Sequence, residues 1–328
     1  EGLWKKIVEM GWPGMVIPEA YGGLGMSYID MVMIVGEMGR TLAPAPLFGT
    51  LAGAWAIEAA GTEEQKQTLL GAVAGGQLKL ALAVTDADGN SNNTTSDAKA
   101  SGKGPYTISG SKSFVVDAAS ADKLVVAAEL DGQRRFFVVD KAKGVKVDVL
   151  EWRDITRQVA NVTFDKAPAE LLSAGGVDVW PWVRDRLYLT LAAESAAGAR
   201  QALDDAVAYA KERVAFGKPI GSFQAIKHQL AEIAGQVECS TAVVQYAAWA
   251  LSENDPRQSL AAAMAQSYCS EAYKDATYRN IQVFGAIGFT WEMKNHLYYK
   301  RGRANSELLG APRQQREEIV QFLERQAA

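Results

Sequence analysis

The hydrophobic pattern of this chain changes its period twice in 328 residues, and no fold built from one kind of secondary structure accommodates that. From Leu3 to about Val73 the signals are helical. An amphipathic opening stops at Gly11-Trp12-Pro13-Gly14, Ser27 caps a helix with Asp30 three residues in, and Thr62 with Gln65 forms a capping box. From Leu78 short β-rich runs take over: Leu80 to Val84, Tyr106 to Ile108, Phe114 to Val116, Leu124 to Ala128 and Phe136 to Val139. Alternation follows at Val145, Val147 and Val149 and at Ala160, Val162 and Phe164, and Asp131-Gly132 reads as a hairpin turn. From Asp178 the chain is helical again, broken near Gly217, near Asp255-Pro256 and at Gly285 to Gly288. The pattern predicts an α+β chain in three parts: a helical domain at 1–77, an antiparallel sheet or small barrel at 78–173, and a helical bundle at 174–328.

Composition narrows the function classes. Hydrophobic residues make up 48% of the chain, enough to fill two or three packed subdomains. The formal net charge is −4 with no basic block, so no nucleic acid partner is expected. Cys239 and Cys269 lie in helical patterns without metal-ligand spacing, and His228 and His296 are too few and too scattered for a cluster. We therefore expect no metal and a reduced, cytoplasmic protein. Neither a signal peptide nor an apolar run of membrane length is evident, so no membrane role is expected. The chain does not open on methionine, and a preceding segment is expected. The glycine-rich loop Pro18 to Gly25 reads as structural, because no strand precedes it and it lacks a dinucleotide spacing.

One stretch of the last part, Arg213-Val214-Ala215-Phe216-Gly217-Lys218-Pro219-Ile220 running on to Ser222-Phe223-Gln224, carries chemistry. Arginine offers a forked donor to phosphate, the aromatic three residues on offers a stacking face, and the glutamine at the head of the next helix offers an amide. The plain alternative is a helical hairpin, with Gly217 and Pro219 ending one helix and Arg213 favourable near its C-terminus. The stretch resembles, position by position, the Arg-x-x-Phe-Gly-x-x-Ile-x-x-Phe-Gln signature of the acyl-CoA dehydrogenase family. The likeness extends over essentially the whole chain, including the family's Pro-Glu-x-x-Gly-Gly loop at Pro18. These are FAD-dependent enzymes of lipid metabolism that desaturate acyl thioesters. The resemblance implies the family's architecture: an N-terminal helical domain, a middle antiparallel β domain and a C-terminal four-helix bundle. It also implies FAD as cofactor, an acyl-CoA substrate, and a tetramer in which Arg213, Phe216 and Gln224 meet the FAD of a neighbouring subunit.

Other family segments are matched in part. Gln282-Val283-Phe284-Gly285-Ala286-Ile287-Gly288-Phe289 resembles the Gln-x-x-Gly-Gly-x-Gly-Phe turn over the neighbour's diphosphate and adenosine, so Gln282, Gly285 and Ala286 are candidate cofactor contacts; only Ala286 departs. Thr85-Asp86-Ala87 with Ser91 aligns with Thr-Glu-Pro-x-x-Gly-Ser, which makes Thr85 and Ser91 candidates, although Asp86, Ala87 and Asn90 differ. Phe114-Val115-Val116 stands where the family has Trp-x-Thr. Phe114 keeps a wall for the ring, and Val116 lacks the hydroxyl donor.

The family's catalytic carboxylate has no counterpart. Abstracting an α proton takes a base, and the two positions that carry it in the family correspond to Leu309 and Leu187. Asp185, Glu194 and Glu307 stand near enough to be weighed, and Glu194 is the candidate base because it lies in an otherwise apolar run. The basic residues Lys300, Arg301, Arg303, Arg313 and Arg316 either face CoA or FAD phosphates or form a solvated helix face with Glu317 and Glu318. Three readings stay open. One is an acyl-CoA dehydrogenase that oxidises acyl-CoA to enoyl-CoA, as a homo-oligomer with an unorthodox base. Another is a non-catalytic subunit of a heterotetramer, completing the FAD site of a second acyl-CoA dehydrogenase chain. The last is a cofactor-free helical interaction protein of the same fold.

Overall fold

Turn chemistry sets where the first helices begin. In the computed structural model, which describes residues 2–92, 96–173 and 179–327, Thr62 Oγ1 accepts from Gln65 N at 3.2 Å and Gln65 Oε1 accepts from Thr62 N at 2.9 Å. That capping box starts α4 (Glu63–Ala74). The expected third-part start at residue 174 and the return to helix at Asp178 lie outside the described residues. Ahead of α4 come α1 (Gly2–Glu9), α2 (Tyr28–Thr41) and α3 (Leu47–Ala60). The Pro18 to Gly25 loop bonds to its own neighbours, with Gly23 N on Pro18 O at 3.3 Å and Gly25 N on Ile17 O at 2.9 Å. A Cβ at Gly23 would lie 2.0 Å from Ile17 O, so close backbone approach is what requires that glycine.

Among the described residues seven strands follow: β1 (Leu80–Ala83), β2 (Lys99–Ser101), β3 (Tyr106–Val116), β4 (Lys123–Leu130), β5 (Gln133–Asp140), β6 (Val145–Val149) and β7 (Val159–Leu171). They form one sheet in the order β1-β4-β2-β3-β7-β5, with β6 paired antiparallel to β7 off this path, and β5 also pairs β4, so the pairing path returns on itself around a core that includes Ile108, Leu124, Phe137 and Val162. The Asp131-Gly132 turn joins β4 to β5 with both residues at positive φ, 51° and 75°, as a two-residue hairpin demands. The antiparallel expectation needs one correction: β1 and β2 both pair β4 in parallel. Hairpin logic holds only for strands joined by tight turns, and the chain between β1 and β4 makes a crossover instead. The two expected runs at Tyr106 and Phe114 are one long strand, β3, interrupted by register shifts between Ile108 and Gly110 and between Lys112 and Val115.

The last part opens with α5 (Trp180–Glu212), and its remaining helices are α6 (Gln224–Ser252), α7 (Gln258–Phe284), α8 (Asn295–Asn305) and α9 (Pro312–Ala327). A shared core of Ala199 and Leu203 from α5, Ile233 and Val237 from α6, Tyr273 from α7 and Tyr298 from α8 makes the four-helix bundle. By compactness the chain forms two units. The first holds residues 1–27, 44–152 and 157–184; the second holds 28–43, 153–156 and 185–328. Helix α2 therefore belongs with the bundle, where Tyr298 Oη donates to Arg40 O at 2.7 Å. Among the described residues no helix is long and apolar enough to cross a membrane.

Tyr273 is fully buried, with Gly198 of α5 and Gly302 of α8 against its ring; a Cβ at Gly198 would lie 2.4 Å from Tyr273 Cζ. Gly198→Ala should cost about 1–3 kcal/mol by overpacking. Gly235→Ala, on an open stretch of α6 with nothing within 4 Å, should instead gain about 0.5–1 kcal/mol. Urea unfolding of the two variants checks the contrast, and equal effects would refute the packing role of Gly198.

Candidate functional site

The Arg213 stretch is not the simple helix break its sequence suggests. Val214–Ala215 and Lys218–Pro219 pair as a two-stranded hairpin, β8 and β9, whose turn is Phe216-Gly217 at φ 52° and 76°. The reason is local: two successive positive φ values make a turn that matches the right-handed twist of the strands. The hairpin holds Phe216 out from the second unit, 95% exposed. At its base Arg213 N donates to Tyr209 O at 2.9 Å and Ile220 N donates to Arg213 O at 2.8 Å, so the arginine's backbone is fixed while its side chain is exposed. Among the described residues the Arg213 guanidinium joins no ion pair or hydrogen bond.

Apolar packing gathers the neighbouring motifs. Ala206, Ala210 and Val283 are buried together, with Tyr209, Ile220, Ile226 and Leu230 packed on them. Tyr209 stacks on Phe284 with ring centroids 4.1 Å apart and planes 14° from parallel. The end of α5, the start of α6 at Gln224 and the end of α7 at Gln282 are thereby brought to one place. Gln282 Oε1 accepts from Gln229 Nε2 at 3.3 Å, which leaves the Gln282 amino group to face outward. Sequence reading missed Tyr209 and Gln229, because stacking and amide pairing across helices leave no periodic signal. Gly285 has φ 70° and ψ −149°, a region open essentially only to glycine, with open space where a Cβ would be. Ala286 is not among the positive-φ residues, so glycine's freedom is not needed there. Gly288 is required by packing, since its Cβ would meet Phe284 Cβ at 2.7 Å.

The candidates of the first unit lie where β1 ends. Thr85 and Ser91 are buried, and their backbone is tied down: Thr85 O accepts from Ser113 N at 2.9 Å and Ser91 O accepts from Arg134 Nη1 at 3.1 Å. Their hydroxyls bond to no described residue. Phe114 occupies the bulge of β3 at φ 55°, with its ring 6.2 Å from Trp152 and its amide on Asn161 Oδ1 at 3.3 Å. Val116 is buried and apolar.

At the base positions, Leu187 is buried within α5 and Leu309 sits at φ 62° in the turn before α9. Glu194 is buried beside Arg301 Nη1 at 3.7 Å and accepts from Asn305 Nδ2 at 3.3 Å. Asp185 is buried and accepts from Ser259 Oγ, while Glu307 is exposed. The basic run divides. Arg301 faces neither phosphate nor solvent: it is buried, with Nε on Asp154 Oδ2 at 2.5 Å and Nη2 on Thr156 Oγ1 at 2.6 Å. Burial alone would lower its pKa, but Glu194 and Asp154 more than offset that and hold it above the ordinary value. Lys300 stacks over Trp291 at 4.5 Å and Arg316 pairs with Glu271 at 2.9 Å. Among the described residues no group of His, Cys, Asp and Glu could hold a metal.

Known proteins resemble the chain along its whole length. Residues 1–77 match the family model described as acyl-CoA dehydrogenase, N-terminal domain, and residues 184–323 match acyl-CoA dehydrogenase, C-terminal domain. Acyl-CoA dehydrogenase IpdE2 of Mycolicibacterium smegmatis is 31% identical over 314 residues, 95% of this chain and 85% of that protein. Among solved structures, the Tcur3481-Tcur3483 steroid ACAD has a TM-score of 0.89 at 28% identity, covering 99% of this chain and 89% of its own. The ChsE4-ChsE5 complex from Mycobacterium tuberculosis has a TM-score of 0.88 at 26% identity, covering 98% and 88%.

Arg301 neutralises part of a buried group that contains both Asp154 and Glu194, so Arg301→Met should strand two carboxylates and cost about 3–5 kcal/mol. Chemical denaturation measures it; a loss under 1 kcal/mol would mean that the pairing is not maintained in solution.

Proposed function

Since this chain is a member of the acyl-CoA dehydrogenase family, we propose that it acts as an FAD-dependent subunit of a heteromeric acyl-CoA dehydrogenase, gripping the adenosine and diphosphate end of a flavin that it shares with a partner chain. The observation that carries this is the outward, uncommitted donor set of the second unit: Arg213, Gln224 and the Gln282 amide beside the exposed ring of Phe216. A charged fork, two amides and an aromatic face fit a dinucleotide, and the glycine-only backbone at Gly285 lets main-chain amides approach a phosphate closely. FAD, when bound, supplies a two-electron acceptor for desaturation of an acyl thioester.

Proton chemistry is where this chain departs from the family. Leucine at 309 and 187 cannot take a proton, and Glu194 is bound up with Arg301 and Asn305. The α-proton acceptor is therefore assigned to a second acyl-CoA dehydrogenase chain, and likeness to the ChsE4-ChsE5 complex supports a mixed assembly. Likeness to a steroid ACAD makes ring-bearing acyl-CoA thioesters the first substrates to assay. Both cysteines are free thiols, in accord with a reducing, cytoplasmic setting. A second reading, turnover by this chain with its own flavin, is favoured by the available hydroxyls of Thr85 and Ser91 and by the aromatic wall at Phe114.

Flavin content separates the two readings. The purified chain should carry little FAD and no activity with an artificial electron acceptor until a second acyl-CoA dehydrogenase chain is added; one FAD per chain with turnover would overturn the mixed assembly. Hydrogen bonds to charged groups contribute about 1.5–3 kcal/mol, so Arg213→Ala should weaken FAD binding by the assembly about 10- to 100-fold. Equilibrium dialysis measures that, and an unchanged dissociation constant removes Arg213 from the site.

A further inference from the structure

A buried lysine in the first unit takes no part in the polar set around Arg213 and Gln282. Lys112, on β3, is 1% exposed, and its Nζ donates to Val84 O at 3.0 Å and to Asp86 Oδ1 at 2.6 Å. Those two acceptors lie on either side of Thr85. The same Asp86 oxygen takes Asp97 N at 3.1 Å and Ser96 Oγ at 3.4 Å, and Asp86 N donates to Asn90 O at 3.1 Å. Burial pulls the lysine pKa down and Asp86 opposes it. A buried ion pair is no efficient way to stabilise a sheet, since apolar residues of the same volume do as well or better. What this pair supplies is geometry. It fastens the end of β1 to β3 on both sides of one residue, and Arg134 holds Ser91 from β5 in the same manner. The held backbone carries the two hydroxyls that bond to no described residue.

We propose that Lys112 is a positioning residue for flavin: through Val84 and Asp86 it fixes where Thr85 and, by the Asp86 to Asn90 turn, Ser91 present their hydroxyls. This rests on the reading that Thr85 and Ser91 meet FAD in this chain. Asp86 thus serves as the lysine's counter-ion, and its difference from the family's glutamate lies in side-chain length rather than charge.

The test uses four variants of the full chain, assembled with a partner chain if flavin loading needs one, and reads both the FAD dissociation constant and the thermal midpoint. Thr85→Val should weaken FAD at least threefold with the midpoint unchanged; no effect overturns the reading and the proposal with it. Lys112→Met should lower the midpoint by several degrees and weaken FAD tenfold or more. In Lys112→Met with Asp86→Asn no buried charge is left alone, so the midpoint should recover while FAD stays weakly bound. Asp86→Asn alone should weaken FAD less than Lys112→Met. If FAD affinity returns together with stability in the double variant, Lys112 is merely structural and the proposal fails, even where Thr85→Val has upheld the reading.

Discussion

Much of what this chain can do follows from one small apolar contact, the stacking of Tyr209 on Phe284 over Ala206, Ala210 and Val283. Helices α5 and α7 are long rods, and residues at their ends hold a common position only if something pins the ends together. An aromatic pair at 4.1 Å does so with little side-chain freedom to lose. Next to this pin the backbone can take conformations that are unfavourable elsewhere, the left-handed phenylalanine at 216 and the glycine-only geometry at 285. A hydrophobic contact thus presents polar groups, and its rigidity is what keeps the exposed side chains at Arg213 and Gln282 on one face of the second unit.

Buried charge is used differently in the two units. In the second, Arg301 sits between Asp154 and Glu194 with Thr156 and Asn305 completing the hydrogen bonds, and none of these groups is directed outward. Its effect is to hold the short segment at residues 153–156 in the second unit. In the first, Lys112 and Asp86 lie beside a segment whose hydroxyls are available. Both arrangements carry a desolvation penalty, and only beside Lys112, in the first unit, does the tethered backbone bear hydroxyls that bond to no described residue.

What could be read from the residues in order was whatever depends on near neighbours. The Thr62 capping box, the Asp131-Gly132 turn and the helix breaks at Asp255-Pro256 and Gly285 are decided within four residues, and each stands where the residues placed it. The β8–β9 hairpin was hidden because Phe216 must adopt a positive φ, which no sequence rule expects of a bulky residue. Strand β2 is three polar-flanked residues without an apolar alternation, and β1 meets β4 only through a crossover whose direction is not local. Arg301 looked like part of a basic surface because its partners, Asp154 and Glu194, are far away in sequence.

The departures from the family pattern sort themselves by what each position demands. Ala286 stands where the family has glycine, and the backbone there has no need of positive φ, so the turn tolerates the change. Asp86 shortens an acid and keeps its counter-ion. Leu309 is the opposite case. It holds φ 62°, and a left-handed L-residue costs roughly 1–2 kcal/mol. The turn survives because Tyr188 Oη donates to Leu309 O at 3.4 Å and Gln315 Nε2 donates to Gly310 O at 2.9 Å. Here the demanding backbone is held by its neighbours while the side chain it presents cannot accept a proton. The substitutions at 86 and 286 leave the local backbone geometry intact, whereas both positions that correspond to the family's acid-base group, 187 and 309, carry leucine. That asymmetry is what the proposed role, gripping a dinucleotide without carrying out proton transfer, requires.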